Sequence, residues 1–110
     1  MKNLPPEHED FGFYMLKIVK KDTGLEYDLW CDSLGRLRDK NIRPYVMIQS
    51  YLVDGEWLVI DIVEDAVKEG NCIYFPKYKS IICYAKRNKK VFMKHWNGEM
   101  DDLDLIQNLR

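Results

Sequence analysis

The stretch Lys79-Ser80-Ile81-Ile82-Cys83-Tyr84-Ala85-Lys86-Arg87-Asn88-Lys89-Lys90-Val91-Phe92-Met93-Lys94-His95-Trp96-Asn97-Gly98 decides the fold of this chain. Two readings compete. Its apolar segments flank Lys86-Arg87-Asn88-Lys89-Lys90 and could pair as a hairpin around a charged turn. Strand alternation fails, however, at Ile81-Ile82-Cys83-Tyr84, which has no polar partner face. At about 100° per residue, Val91, Tyr84, His95, Asn88, Ile81, Phe92, Ala85 and Trp96 fall within an arc of roughly 140°. Lys79, Lys86, Arg87, Lys90 and Lys94 occupy a separate arc of roughly 100°. Asn97-Gly98 supplies a left-handed stop just past the last periodic residue. The spacing therefore predicts one long amphipathic helix over 79–96.

Upstream, the pattern turns to strands. Phe11 to Val19 is rich in aromatic and branched residues, Lys20-Lys21-Asp22-Thr23-Gly24 reads as a hairpin turn, and Glu26 to Cys31 is the return strand. That strand has Tyr27, Leu29 and Cys31 on one face and Asp28 and Trp30 on the other. Asp32 to Asn41 reads as a polar loop. Tyr45 to Leu52 alternates, with Val46, Ile48 and Leu52 inward and Gln49 and Tyr51 outward. Asp54-Gly55 then turns the chain into a partner strand, Trp57 to Val63. Glu64 to Gly70 is expected as a helical turn and Cys72 to Phe75 as a short fifth strand. Leu103, Ile106 and Leu109, behind a run of acids, predict a short final helix within Glu99 to Arg110. The expected fold is a single α+β domain over 1–110 with a loose lead-in at 1–10. It has an antiparallel sheet of four to five strands in two hairpins, packed by the long helix and a short final one.

Composition sets the class. The chain has 110 residues, 46% apolar and 32% charged, enough for a packed core without disulfides or metal. No apolar run approaches the roughly 20 residues of a membrane helix, and Met1 to Glu7 lacks the apolar core of a signal peptide, so a cytoplasmic protein is expected. Three cysteines, Cys31, Cys72 and Cys83, without a CxxC make a poor disulfide or zinc framework. No cofactor fingerprint stands out. Charge is divided unevenly. Residues 71–98 carry +7 in a chain of net charge −1, so the remainder carries −8.

Lys20-Asp22-Thr23-Gly24-Leu25, followed by Leu29-Trp30-Cys31-Asp32, resembles the opening of many small bacterial proteins encoded beside phage, mobile-element or toxin–antitoxin genes. Asn88, Phe92, His95-Trp96-Asn97-Gly98-Glu99 and Asp101-Asp102 are similar to their C-terminal pattern. Most such proteins have no assigned activity, so the resemblance bears on fold and genetic setting rather than on chemistry.

Candidate sites follow from these faces. Lys79, Lys86, Arg87, Lys90 and Lys94 could dock on an acidic protein surface or track a phosphate backbone, or they could be a solvated outer face. An overall pI near 6.1 disfavours a dedicated nucleic-acid binder. Tyr45, Tyr51, Trp30 and Trp57 could form an aromatic surface on the uncovered side of the sheet, suited to a partner or to a second copy. Asp61, Glu64 and Asp65 could hold a divalent cation, although acids beginning a helix explain them more simply. His95 and Cys83 lie about 120° apart on the wheel and cannot form a catalytic pair. The resulting expectation is a non-enzymatic protein–protein module, which the resemblance places as an inhibitor or accessory factor of a phage or mobile element. A nucleic-acid-binding module is the alternative.

Overall fold

The computed structural model describes residues 15–32 and 43–110. The expected lead-in at 1–10, the start of the first strand at 11–14 and most of the polar loop lie outside them. Five strands form one antiparallel sheet in simple sequential order: β1 (Met15–Ile18), β2 (Leu29–Asp32), β3 (Tyr45–Gln49), β4 (Trp57–Asp61) and β5 (Ala66–Glu69). A one-turn helix, α1 (Lys20–Thr23), bridges β1 and β2 and ends at Gly24.

Register assigns each strand residue its side. Ile18 faces Leu29, Val46 faces Ile60, and Ile48 faces Leu58. These six residues share one face, where Phe75, Ile81, Tyr84, Phe92 and Leu105 close the main core. The other face is also buried at the centre of the sheet. There Tyr45, Met47, Trp57 and Val59 form a second cluster, with Met15, Trp30 and Trp96 packed against it. Strands β3 and β4 are therefore buried on both sides, which their near-continuous apolar sequence accommodates.

The expected long helix is two helices, α2 (Tyr78–Arg87) and α3 (Lys89–Trp96), interrupted at Asn88. Asn88 is buried, and its Nδ2 donates to the Tyr84 carbonyl (2.9 Å). A side chain that bonds back onto the turn behind it competes with the backbone ladder and interrupts a helix. Its Oδ1 accepts from the Arg110 N–H (2.8 Å), which ties the segment after the final helix to the break. The phase survives the interruption. Ile81, Tyr84, Ala85, Asn88, Phe92 and His95 are all buried, and Lys79, Cys83, Lys86, Arg87, Lys90 and Lys94 are all exposed. At the end of α3 the Gly98 N–H donates to the His95 carbonyl and the Glu99 N–H to the Lys94 carbonyl, with Gly98 at φ +81°. These two bonds are the Schellman stop that Asn97-Gly98 implied.

Two short elements differ from expectation. Residues 66–69 extend as β5 against β4 rather than forming a helical turn, and Cys72–Tyr74 is a 3₁₀ turn rather than a strand. Val67 opposite Ile60 gains core burial only as an extended residue. Gly70, at φ +100°, ends the strand where a Cβ would clash with the Trp57 carbonyl oxygen. The Asn71 side chain then accepts from the Ile73 N–H and starts the 3₁₀ turn. The final helix, α4 (Asp102–Asn108), is capped by Asp101, whose carboxylate accepts from the Asp104 N–H (2.8 Å). Leu105 is its buried anchor, whereas Leu103 points outward.

Candidate functional site: a cationic stripe and an aromatic corner

The cations of this fold divide by whether the protein already uses them. Arg43 bonds Asp61 (3.0 Å) and Glu64 (3.3 Å). Lys89 bonds Asp65 (2.8 Å) and the Val63 carbonyl (3.2 Å), which joins α3 to the turn after β4. Arg87 donates through Nε and Nη2 to the Arg110 backbone oxygen (3.1 and 2.8 Å), and its guanidinium stacks on Tyr84. Of the five cations assigned to the stripe, Arg87 thus has an internal role. Lys79, Lys86, Lys90 and Lys94 are exposed and carry no hydrogen bond or ion pair among the described residues. They lie at i, i+7, i+11 and i+15 across the interruption, and residues 71–98 contain no acid. At about 1.5 Å per residue the stripe runs roughly 22 Å.

The aromatic residues separate. Tyr45 and Trp57 are 2% and 7% exposed, so the expected open sheet face is interior at these positions. Trp96 packs edge-on against Tyr45, at 6.1 Å between ring centroids, and Trp30 meets Trp57 at 5.9 Å. The physical cause is that β3 and β4 are apolar on both sides and recruit Trp96 from the end of α3. Tyr51 lies beyond β3 in the bend before β4, 55% exposed, and stacks on Tyr27 at 5.1 Å. Leu52, expected inward, is exposed in the same bend. Ser50 organises this bend by accepting from the Leu52 and Val53 N–H groups (both 3.0 Å) and donating to the Tyr74 carbonyl (2.8 Å).

Trp30 and Tyr51 still meet at one place. Both line a cavity of about 190 Å³ at the corner of β1, β2 and β3, together with Tyr27, Asp28, Glu26 and Lys17. Residue-type reasoning missed Lys17, Glu26 and Asp28 here. The available signal was the pairing of Lys17 with Trp30 across β1 and β2, which follows once the register of those two strands is fixed. Tyr27 is buried, and its hydroxyl accepts from the Lys77 N–H (3.4 Å). Burial pushes its pKa up to about 12, the Lys77 N–H opposing and the Tyr51 hydroxyl reinforcing the shift.

Asp61, Asp65 and His95 each link parts of the fold. Asp61 accepts from the Val63 and Glu64 N–H groups (2.8 and 3.0 Å) with one oxygen and takes Arg43 on the other. It organises a turn rather than starting a helix. Asp65 faces Lys89. Among the described residues, no group of three His, Cys, Asp or Glu side chains could hold a metal ion. His95 is buried in α3 and its Nε2 lies 2.7 Å from the Asp102 carboxylate, which fastens α3 to the first turn of α4. Cys83 stands exposed between lysines of the stripe, and Cys31 is buried.

No family model matches the chain, and neither a curated protein nor a solved structure matches it. No helix among the described residues is long and apolar enough to cross a membrane.

Proposed function

We propose that this chain is a non-enzymatic binding module that docks an acidic protein surface along Lys79, Lys86, Lys90 and Lys94. One observation carries the reading. Lys17, Arg43, Arg87 and Lys89 have internal partners, whereas these four have none among the described residues and share one helical face. Unpaired like charges in a row repel one another, and an acidic partner relieves that repulsion while steering association. The carboxylates Asp61, Asp65 and Asp102 serve as structural links, which favours a binding role over catalysis. The resemblance of Lys20 to Asp32 and of Asn88 to Asp102 to proteins encoded beside mobile elements favours an inhibitor or accessory factor acting on a host protein.

The test is a titration with poly-glutamate, duplex DNA and single-stranded RNA at low and physiological salt. The four-lysine variant to Ala serves as control. The expected result is salt-dependent binding to poly-glutamate that the variant loses. Tighter, salt-steep binding to either nucleic acid would overturn the protein-docking reading and install the nucleic-acid one.

A further inference from the structure

The corner cavity lies apart from the cationic stripe and shares no lining residue with it. Its walls combine three aromatic rings, Tyr27, Trp30 and Tyr51, with two carboxylates, Glu26 and Asp28. Two lysines, Lys17 and Lys20, also line it, and Lys17 engages both kinds of wall. Lys17 Nζ lies 5.4 Å from the centre of the Trp30 ring and 3.7 Å from Asp28 Oδ2. An aromatic face beside a carboxylate is the standard recognition chemistry for ammonium and guanidinium groups. Lys17 is nearly half exposed, and an ion pair so open to water holds weakly. The other Asp28 oxygen accepts from the Lys20 N–H (2.7 Å), which fixes the carboxylate independently of Lys17. At about 190 Å³ the space falls below the roughly 300–1,000 Å³ of pockets for drug-sized ligands, so it suits one side-chain head rather than a larger molecule.

We propose that this corner is a binding site for a guanidinium or alkylammonium group, in the first instance an Arg or Lys side chain of a protein partner, and that Lys17 is its built-in competitor. An incoming cation displaces Lys17 to solvent and takes its place over Trp30 and against Asp28. Tyr51, stacked on Tyr27 at the rim, covers the stem of the guest.

The proposal makes an unusual prediction of sign: removing a protein side chain strengthens binding. The Trp30 indole N–H resonance is followed in titrations of the full chain with N-acetyl-arginine amide, free arginine and, as an anionic control, acetate. The comparison sets wild type beside Lys17→Ala and the charge-matched Lys21→Ala, whose side chain lies outside the cavity lining. The expected result is saturable binding of the cations to Lys17→Ala, at least threefold tighter than to wild type, with Lys21→Ala unchanged. Tighter binding of the blocked arginine identifies a protein side chain as the guest, and tighter binding of free arginine a small molecule. Either upholds the cation site. The proposal is overturned if Lys17→Ala binds no cation, if Lys21→Ala tightens as much, or if acetate is the ligand that saturates.

Discussion

Asn88 sits where local propensity and tertiary bonding oppose each other. Asn88→Ala gains at most about 0.7 kcal/mol of helix propensity. It also removes the bonds to the Tyr84 carbonyl and the Arg110 N–H, each worth about 1 kcal/mol when buried. The expected outcome is a net loss of about 1–2 kcal/mol, read as a lower urea midpoint at unchanged slope. A variant more stable than wild type would contradict the role assigned here. Tyr27 gives a second prediction at this scale. Its folded-state pKa is raised to about 12 from an ordinary 10, so its contribution is complete below pH 10 and fades as pH rises through 12. Wild type should therefore lose stability between pH 10 and 12 more steeply than Tyr27→Phe, measured by urea unfolding at intervals across that window. Residue placement along 79–96 was largely legible, because a 3.6-residue period survives the interruption. The interruption was not, because periodicity places Asn88 in the buried arc without showing that its side chain bonds back to Tyr84 and is held there by Arg110, 22 positions away.

Among the elements, α2 and α3 make the sharpest distinction. Lys86 and Arg87 are neighbours in sequence and both exposed, yet only Arg87 bonds elsewhere in the fold. Lys86→Ala should change stability by less than about 0.5 kcal/mol, as exposed substitutions do. Arg87→Ala should cost about 1–2 kcal/mol through its charge-assisted bonds and its stacking on Tyr84, with thermal unfolding as the readout. The sheet makes the opposite point about exposure. Trp57→Ala should cost about 3–5 kcal/mol, the range for a buried aromatic, whereas an open sheet face would lose far less. A periodicity of two assigned Trp57, Tyr45 and Trp30 to one side correctly, as the register confirms. It carried no information about what lies over that side, because Trp96 arrives from another element. For β5 the failure was local. Four residues are too few for either period, and only the pairing with β4 makes 66–69 a strand.

At the scale of the molecule, a net charge of −1 conceals a division that the fold sharpens. Some cations of the +7 block turn inward to fasten parts together, as Lys89 holds the turn after β4 and Arg87 holds Arg110. Lys79, Lys86, Lys90 and Lys94 stand outward on one face, and the docking proposal rests on them. Lysine-selective acetylation kinetics, resolved by peptide mass spectrometry with and without poly-glutamate, tests this most directly. The account predicts rapid labelling of Lys79, Lys86, Lys90 and Lys94 in the free protein, slow labelling of Lys89, and protection of the four when the acidic polypeptide binds. Protection of Lys20 and Lys21 instead, or equal labelling of Lys89 and the four, would contradict it.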